Sequence, residues 1–246
     1  MASFTNISPL PVYNTPEIFQ LYQSKPLKNE KGLLIGVEMV LLAGSKIEVI
    51  SKLKKGVYQI ITPHYQVDFP LYVDGRHLVK KRPRTFFLPS FEEAIMNLSK
   101  VKEGTRYIYG ANIDKGIPSL TNDFPPPPDL DEKEKQDWIL QGLDCSGLFF
   151  QICEGATLRN CSMLDRVGVE IKNPKIGELR PLDLILTKGH VAIVESPKNI
   201  IESAKRFEGV KRTELTKELL TSEIFKSHRI IRPFFKDVPI ACEFFS

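Results

Sequence analysis

The sequence predicts an α+β chain in two parts, a β-rich first part and a mixed second part, and three observations carry that prediction. Short β-type runs separated by turn residues fill positions 33 to 79, a helix start lies at Ser90, and an apolar segment at helical spacing follows residue 144, itself followed by strand-like runs. The 246 residues suffice for one large domain or two small ones, and 42% hydrophobic residues can fill either core.

The first runs are LLIGVEMVLLAG, KIEVISKL, GVYQIIT and FPLYVDGRHLV. They are rich in Val, Ile and Tyr and are punctuated by Gly44, Gly56, Pro63 and Gly75, which favours a small β-barrel over helices. Residues 1–85 read as one domain and 86–246 as a second.

The stretch KKRPR at 80–84 interrupts the β pattern. PSFEEAIMNLSKV then offers Ser90 as N-cap with Glu92 and Glu93 in the first turn, where carboxylates meet the positive end of the helix dipole. Between Gly110 and Gly142 lies a polar insert with four consecutive prolines, Pro125 to Pro128. Serial proline forbids helix and sheet, so the insert reads as an excursion from the core, a possible lid, folding again around Trp138. In LDCSGLFFQICEG, Leu148, Phe149 and Ile152 recur at helical spacing and place Cys145 near a helix N-terminus. The segments ELRPLDLILTKGHVAIVESPKNIIESA and HRIIRPF read as strands packed against that helix.

Thirty-four basic residues face 30 acidic ones, and no basic run is interleaved with aromatics, so no nucleic-acid footprint is indicated. No membrane span and no signal peptide are readable, and cytoplasmic placement is the expectation, with a periplasmic or exported form left open. The four cysteines, at 145, 153, 161 and 242, lack zinc-site spacing and the density of a disulfide scaffold. Cys153, Cys161 and Cys242 read as structural thiols.

A cysteine attacks as thiolate, and its free pKa of about 8.5 falls at a helix N-terminus beside an imidazolium. Cys145 has the first feature and needs a histidine for the second. His64 and His77 fall in the β-rich part and His228 late in the chain, whereas His190 opens the apolar strand HVAIV. A third group must hold the imidazole, and Glu202 lies past a turn at Ser196-Pro197. A hairpin symmetric about Ser196 puts both side chains on one face; a four-residue turn slips the register and points Glu202 away. Each residue also has an ordinary role, as a small core thiol, a strand-end histidine or a solvated glutamate.

The ordered set RYIYG at 106–110, LDCSG at 143–147, ELRPLDLIL at 178–186, GHVAIV at 189–194 and IIESA at 200–204 resembles the NlpC family of cell-wall cysteine peptidases. The resemblance covers roughly residues 90 to 232, and residues 33–79 resemble the bacterial SH3-like barrel that often precedes that domain. It implies a papain-like catalytic domain, with Cys145 as nucleophile, His190 as base and Glu202 as the third polar residue, where many members carry histidine, asparagine or glutamine. It further implies that Asp144 and Ser146 receive the free amine of an N-terminal alanine, and that Tyr107 lies near the nucleophile. Tyr65 is the candidate contributor from the barrel. Leu182 stands where the family commonly has glycine, and the 111–142 insert is longer than usual.

The implied reaction is hydrolysis of the γ-D-glutamyl–meso-diaminopimelate bond in a peptidoglycan stem peptide or muropeptide, with no metal or organic cofactor. The alternatives are acyl transfer or another amide cleavage on the same Cys-His core, or an inactive cell-wall-binding protein.

Overall fold

The computed structural model describes residues 3–225 and 227–235; Cys242 lies outside them. In chain order the elements are β1 (Ser3–Asn6), β2 (Leu10–Tyr13), β3 (Val37–Leu41), β4 (Lys46–Lys52), β5 (Val57–Ile61), β6 (Leu71–Asp74), β7 (Leu78–Val79) and α1 (Phe91–Lys100). They continue as β8 (Asn112–Ile113), α2 (Leu120–Asp123), α3 (Glu132–Trp138), β9 (Gly142–Leu143), α4 (Cys145–Ile152), β10 (Gly168–Ile171), β11 (Leu184–Thr187), β12 (His190–Ser196), β13 (Asn199–Ala204), β14 (Gly209–Glu214), α5 (Lys217–Thr221) and β15 (Arg229–Pro233). The result is a mixed α/β protein with antiparallel sheets. No helix among the described residues is long and apolar enough to cross a membrane.

The chain divides into two compact units. The first holds residues 1–85 and 108–142, and the second holds 86–107 with the chain from Leu143 onward. In the first, seven strands form one sheet in the order β3-β2-β6-β5-β4-β1-β7. The insert is not the excursion its prolines suggested. Ile117, Leu120, Phe124, Leu130, Trp138 and Leu140 are buried in one cluster with Tyr13, Ile18, Val37 and Val40.

The physical reason is aromatic. Tyr22 stacks on Phe124 at 4.2 Å and meets Trp138 edge-on at 5.3 Å, while the Trp138 indole N–H donates to the Phe124 carbonyl at 2.8 Å. Asp131 caps α3 in a reciprocal box with Glu134, so the prolines end in a well-started helix.

In the second unit, Ser90 caps α1 as its sequence required: its hydroxyl accepts from Glu93 N–H at 3.2 Å, and the Glu93 carboxylate accepts from Ser90 N–H at 2.7 Å. Six strands form a sheet in the order β10-β15-β11-β12-β13-β14, every pair antiparallel. Both faces are covered, so β12 reads as an unbroken apolar run. Val191, Ile193 and Ile201 pack with α1 and α4, whereas Ala192, Val194 and Ile200 pack with Leu179, Leu215 and Phe225.

At the turn before β11, Leu182 holds a left-handed φ of +70° while fully buried. Glycine takes that conformation without strain, and leucine keeps it here inside the core cluster, its N–H donating to Val194 O at 2.7 Å.

Because the insert supplies core rather than covering, truncating its largest side chain should unfold the first unit. Trp138→Ala is expected to cost about 3–5 kcal/mol by cavity formation and loss of the indole hydrogen bond, read as a lowered urea midpoint. A change below about 1 kcal/mol would contradict the packed-insert account.

Candidate active site

Helix α4 begins with the nucleophile candidate. Asp144 is its N-cap, accepting from Gly147 N–H at 2.7 Å, and Cys145 is the first helical residue. Nearly every side chain of α4 is buried: Leu148, Phe149 and Ile152 pack in one cluster with α1 and the sheet, and Phe150 is 1% exposed. Being in the first turn, the Cys145 backbone N–H has no intrahelical partner and points outward from the helix start.

His190 and Glu202 are placed by the β12–β13 hairpin. Ser196 pairs with Asn199 around a two-residue loop, and on that register alone Glu202 would share a face with Ile193. The register shifts between Val194 and Ser196, so that Val194 pairs with Ile200 and Ile193 with Ile201. Glu195 is the extra residue of this bulge, and its carboxylate accepts from Arg212 at 2.7 Å. Continuing the shifted register sets Glu202 opposite Ala192, which makes His190 its diagonal neighbour on the same face. Neither hairpin considered from sequence has this form: a two-residue loop plus a bulge restores the even register.

The contact follows. His190 Nε2 lies 2.6 Å from Glu202 Oε2, and the imidazole is near enough to the Cys145 thiol to favour its ionisation. With Nε2 engaged by Glu202, Nδ1 is the ring nitrogen left for the sulfur. Glu202 is 1% exposed, and the Arg206 guanidinium donates to the same Oε2. Arg206 and His190 thus share one oxygen of this buried carboxylate.

Burial acts most strongly on His190 and lowers its pKa, yet the hydrogen bonds and charges of Cys145 and Glu202 together raise it to about 9. The imidazolium therefore persists at neutral pH. The Cys145 thiol is pushed well above its usual value, first by the hydrogen bond with Cys161 and then by burial, while His190 pulls it down. Cys161 Sγ lies 3.2 Å from Cys145 Sγ.

Asp144 and Ser146 meet something other than an open amine pocket. Arg159, 2% exposed, donates from Nη2 to Asp144 Oδ2 at 2.6 Å and from Nη1 to the Ser146 hydroxyl. The Ser146 hydroxyl donates in turn to Asp144 Oδ1 at 3.3 Å. The Asp144 carboxylate, expected to receive a substrate ammonium, accepts here from a protein guanidinium. Tyr107 is half-buried beside this segment: its N–H donates to Glu208 O at 2.9 Å, and the Arg106 carbonyl accepts from Leu143 N–H at 2.9 Å. Tyr65 is buried in the first unit, its hydroxyl donating to Glu38 at 2.5 Å.

Cys145, His190, Glu202, Asp144 and Ser146 therefore gather around the start of α4, whereas Tyr65 belongs to the other unit. Sequence reasoning missed three side chains. Arg206 was legible in part, since Glu202 and Arg206 are four residues apart; Arg159 and Cys161 stand in TLRNCSM, which has no periodicity to read. Cys161, expected as a structural thiol, lies against the Cys145 sulfur. Cys153 is fully buried within the helix packing and its thiol is raised by desolvation.

No family model matches the chain, and no curated protein matches it. Among solved structures, an NlpC/P60 family protein from Bacillus cereus aligns over 94% of this chain and 63% of its own, at 16% identity and a TM-score of 0.40. NlpC2 from Trichomonas vaginalis aligns over 96% of this chain and 73% of its own, at 15% identity and a TM-score of 0.37. NlpC1 from the same organism gives 96%, 69%, 15% and 0.37 in the same order. The chain thus spans under two-thirds of the length of the Bacillus protein.

Replacing Glu202 by Gln keeps a hydrogen-bond acceptor and removes the charge, so the His190 pKa is expected to fall from about 9 towards 6.5, followed by imidazole NMR. A folded-state pKa raised from 6.5 to about 9 contributes stability that is complete below 6.5 and lost as pH rises through 9. The melting temperature should decline across that window, and decline less in the Gln variant. An unchanged His190 titration in Glu202→Gln would refute the pairing.

Proposed function

We propose that the chain is a cysteine peptidase that hydrolyses peptidoglycan stem peptides at the γ-D-glutamyl–diaminopimelate bond, in intact wall fragments or muropeptides. The observation that supports it most is the His190–Glu202 pair beside Cys145 at the start of a buried helix. The second unit is read as a papain-like catalytic domain and the first as an SH3-like domain enlarged by its insert. The bond assignment rests on the order of the five sequence motifs.

In this mechanism the Cys145 thiolate attacks the γ-carbonyl carbon, and the carbonyl electrons move onto oxygen. The oxyanion forms against the Cys145 N–H in the first turn of α4, with the Tyr107 hydroxyl as second donor. The imidazolium of His190 gives its proton to the departing amine, the C–N bond breaks, and a thioester remains on Cys145. Water loses a proton to His190 and attacks the thioester; the C–S bond breaks and the thiolate returns. Glu202 stabilises the imidazolium at each stage and keeps the ring turned so that its other nitrogen faces sulfur.

The guanidinium on Asp144 bears on substrate choice. A carboxylate that already accepts from Arg159 and from Gly147 N–H has little left to offer a substrate amine, so a free N-terminal alanine is not required in this reading. The purified protein should release diaminopimelate from L-Ala-γ-D-Glu-diaminopimelate and from its N-acetylated form at rates within about tenfold, and Cys145→Ala should lower both by about a thousandfold or more. Mass spectrometry of the products checks both arms. A strict preference for the free amine would return Asp144 to amine binding, and equal turnover by Cys145→Ala would end the peptidase reading.

A further inference from the structure

The stretch from Arg159 to Arg166 contributes nothing to the acyl-transfer chemistry, yet it is held against the nucleophile with unusual care. Arg159 and Asp144 form a buried ion pair at 2.6 Å, and each sits within two residues of a cysteine: Asp144 directly before Cys145, Arg159 two before Cys161. Asn160, between Arg159 and Cys161, holds φ at +100°, a conformation rarely adopted by side chains other than glycine, while its side chain accepts from Ser162 N–H at 3.2 Å. The pair clamps the two segments together, and the strained residue sets the direction of the chain into Cys161. Its consequence is the Sγ–Sγ separation of 3.2 Å. A disulfide needs about 2.0 Å, so the sulfurs must close by roughly 1.2 Å, within reach of rotation about the two Cα–Cβ bonds. Cys161 is half-buried and Cys145 is 7% exposed.

We infer that Cys161 is a resolving thiol for Cys145, so that a hydroperoxide joins the two in a reversible disulfide and removes the nucleophile from service. That its closure inhibits catalysis rests on the peptidase reading; that the bond forms does not.

The chemistry balances as follows. Cys145 thiolate attacks one peroxide oxygen, the O–O bond breaks, and the leaving hydroxide takes the His190 proton and departs as water, leaving a sulfenic acid. Cys161 loses its proton and its sulfur attacks Cys145 Sγ. The S–S bond forms, the S–O bond breaks, and the departing hydroxide joins that proton as a second water. Two thiols have lost two electrons and two protons, and one hydroperoxide has been reduced. Exchange with a dithiol reverses the bond.

The test treats the full chain with a few equivalents of hydrogen peroxide, alkylates the remaining thiols, and maps peptides without reduction. The expected result is a cross-linked peptide joining Cys145 to Cys161, a fall of more than tenfold in tripeptide cleavage, and recovery on adding dithiothreitol. In Cys161→Ala no cross-link forms, Cys145 proceeds to sulfinic acid, and dithiothreitol recovers little; Cys161→Ser should behave the same way while retaining a polar group against Cys145. Peroxide-treated protein with Cys161 still reduced, or equal recovery in Cys161→Ala, overturns the inference. A cross-link in a protein whose reduced form cleaves no tripeptide upholds the thiol pair and instead defeats the peptidase reading.

Discussion

The period of two along a β-strand constrains this molecule more than any single bond does. His190 and Glu202 stand on neighbouring strands of one hairpin, and they meet only if the pairing between those strands keeps them on the same face. The two-residue loop at Pro197 and Lys198 imposes the wrong parity, and the bulge at Glu195 corrects it. Without the bulge Glu202 would share a face with Ile193, which packs in the apolar cluster with α1 and α4, a costly place for a carboxylate. Burial and charge thus favour the same register that assembles the pair.

Electrostatics then sets what the gathered residues can do. Glu202, almost fully buried, is tolerated because Arg206 and His190 both donate to it, and it in turn keeps the imidazole protonated and oriented. Asp144 shows the same logic at the helix start: a buried carboxylate accepts from a backbone N–H of its own helix and from Arg159. Breaking either arrangement by removing one partner would strand a charge, which ties the integrity of the site to the stability of the second unit. Cys145 lies between the two charge systems, pulled towards ionisation by His190 and away from it by Cys161.

Much of this was legible in the chain, and the remainder was not, for identifiable reasons. The helix at Ser90 announces itself through a cap and two acidic residues in its first turn, and α4 through helical spacing after Asp144. The parity of the β12–β13 hairpin was not legible, because a bulge leaves no mark in an apolar run such as VAIV that is buried on both faces. The insert misled through its prolines: they exclude regular structure locally but say nothing about the aromatic residues on either side, which find Tyr22 far away in sequence. Arg159 and Cys161 were silent because long-range ion pairs and thiol contacts carry no periodicity.

The central claim is that Cys145, beside His190, forms a covalent acyl intermediate. Quenching the protein in acid shortly after mixing with the tripeptide, then mapping peptides by mass spectrometry, measures this directly. The account predicts a thioester-linked L-Ala-γ-D-Glu adduct on the peptide carrying Cys145, accumulating to more than trace levels when Glu202→Gln slows deacylation. Turnover without any adduct, or an adduct on Cys161 instead, would contradict it.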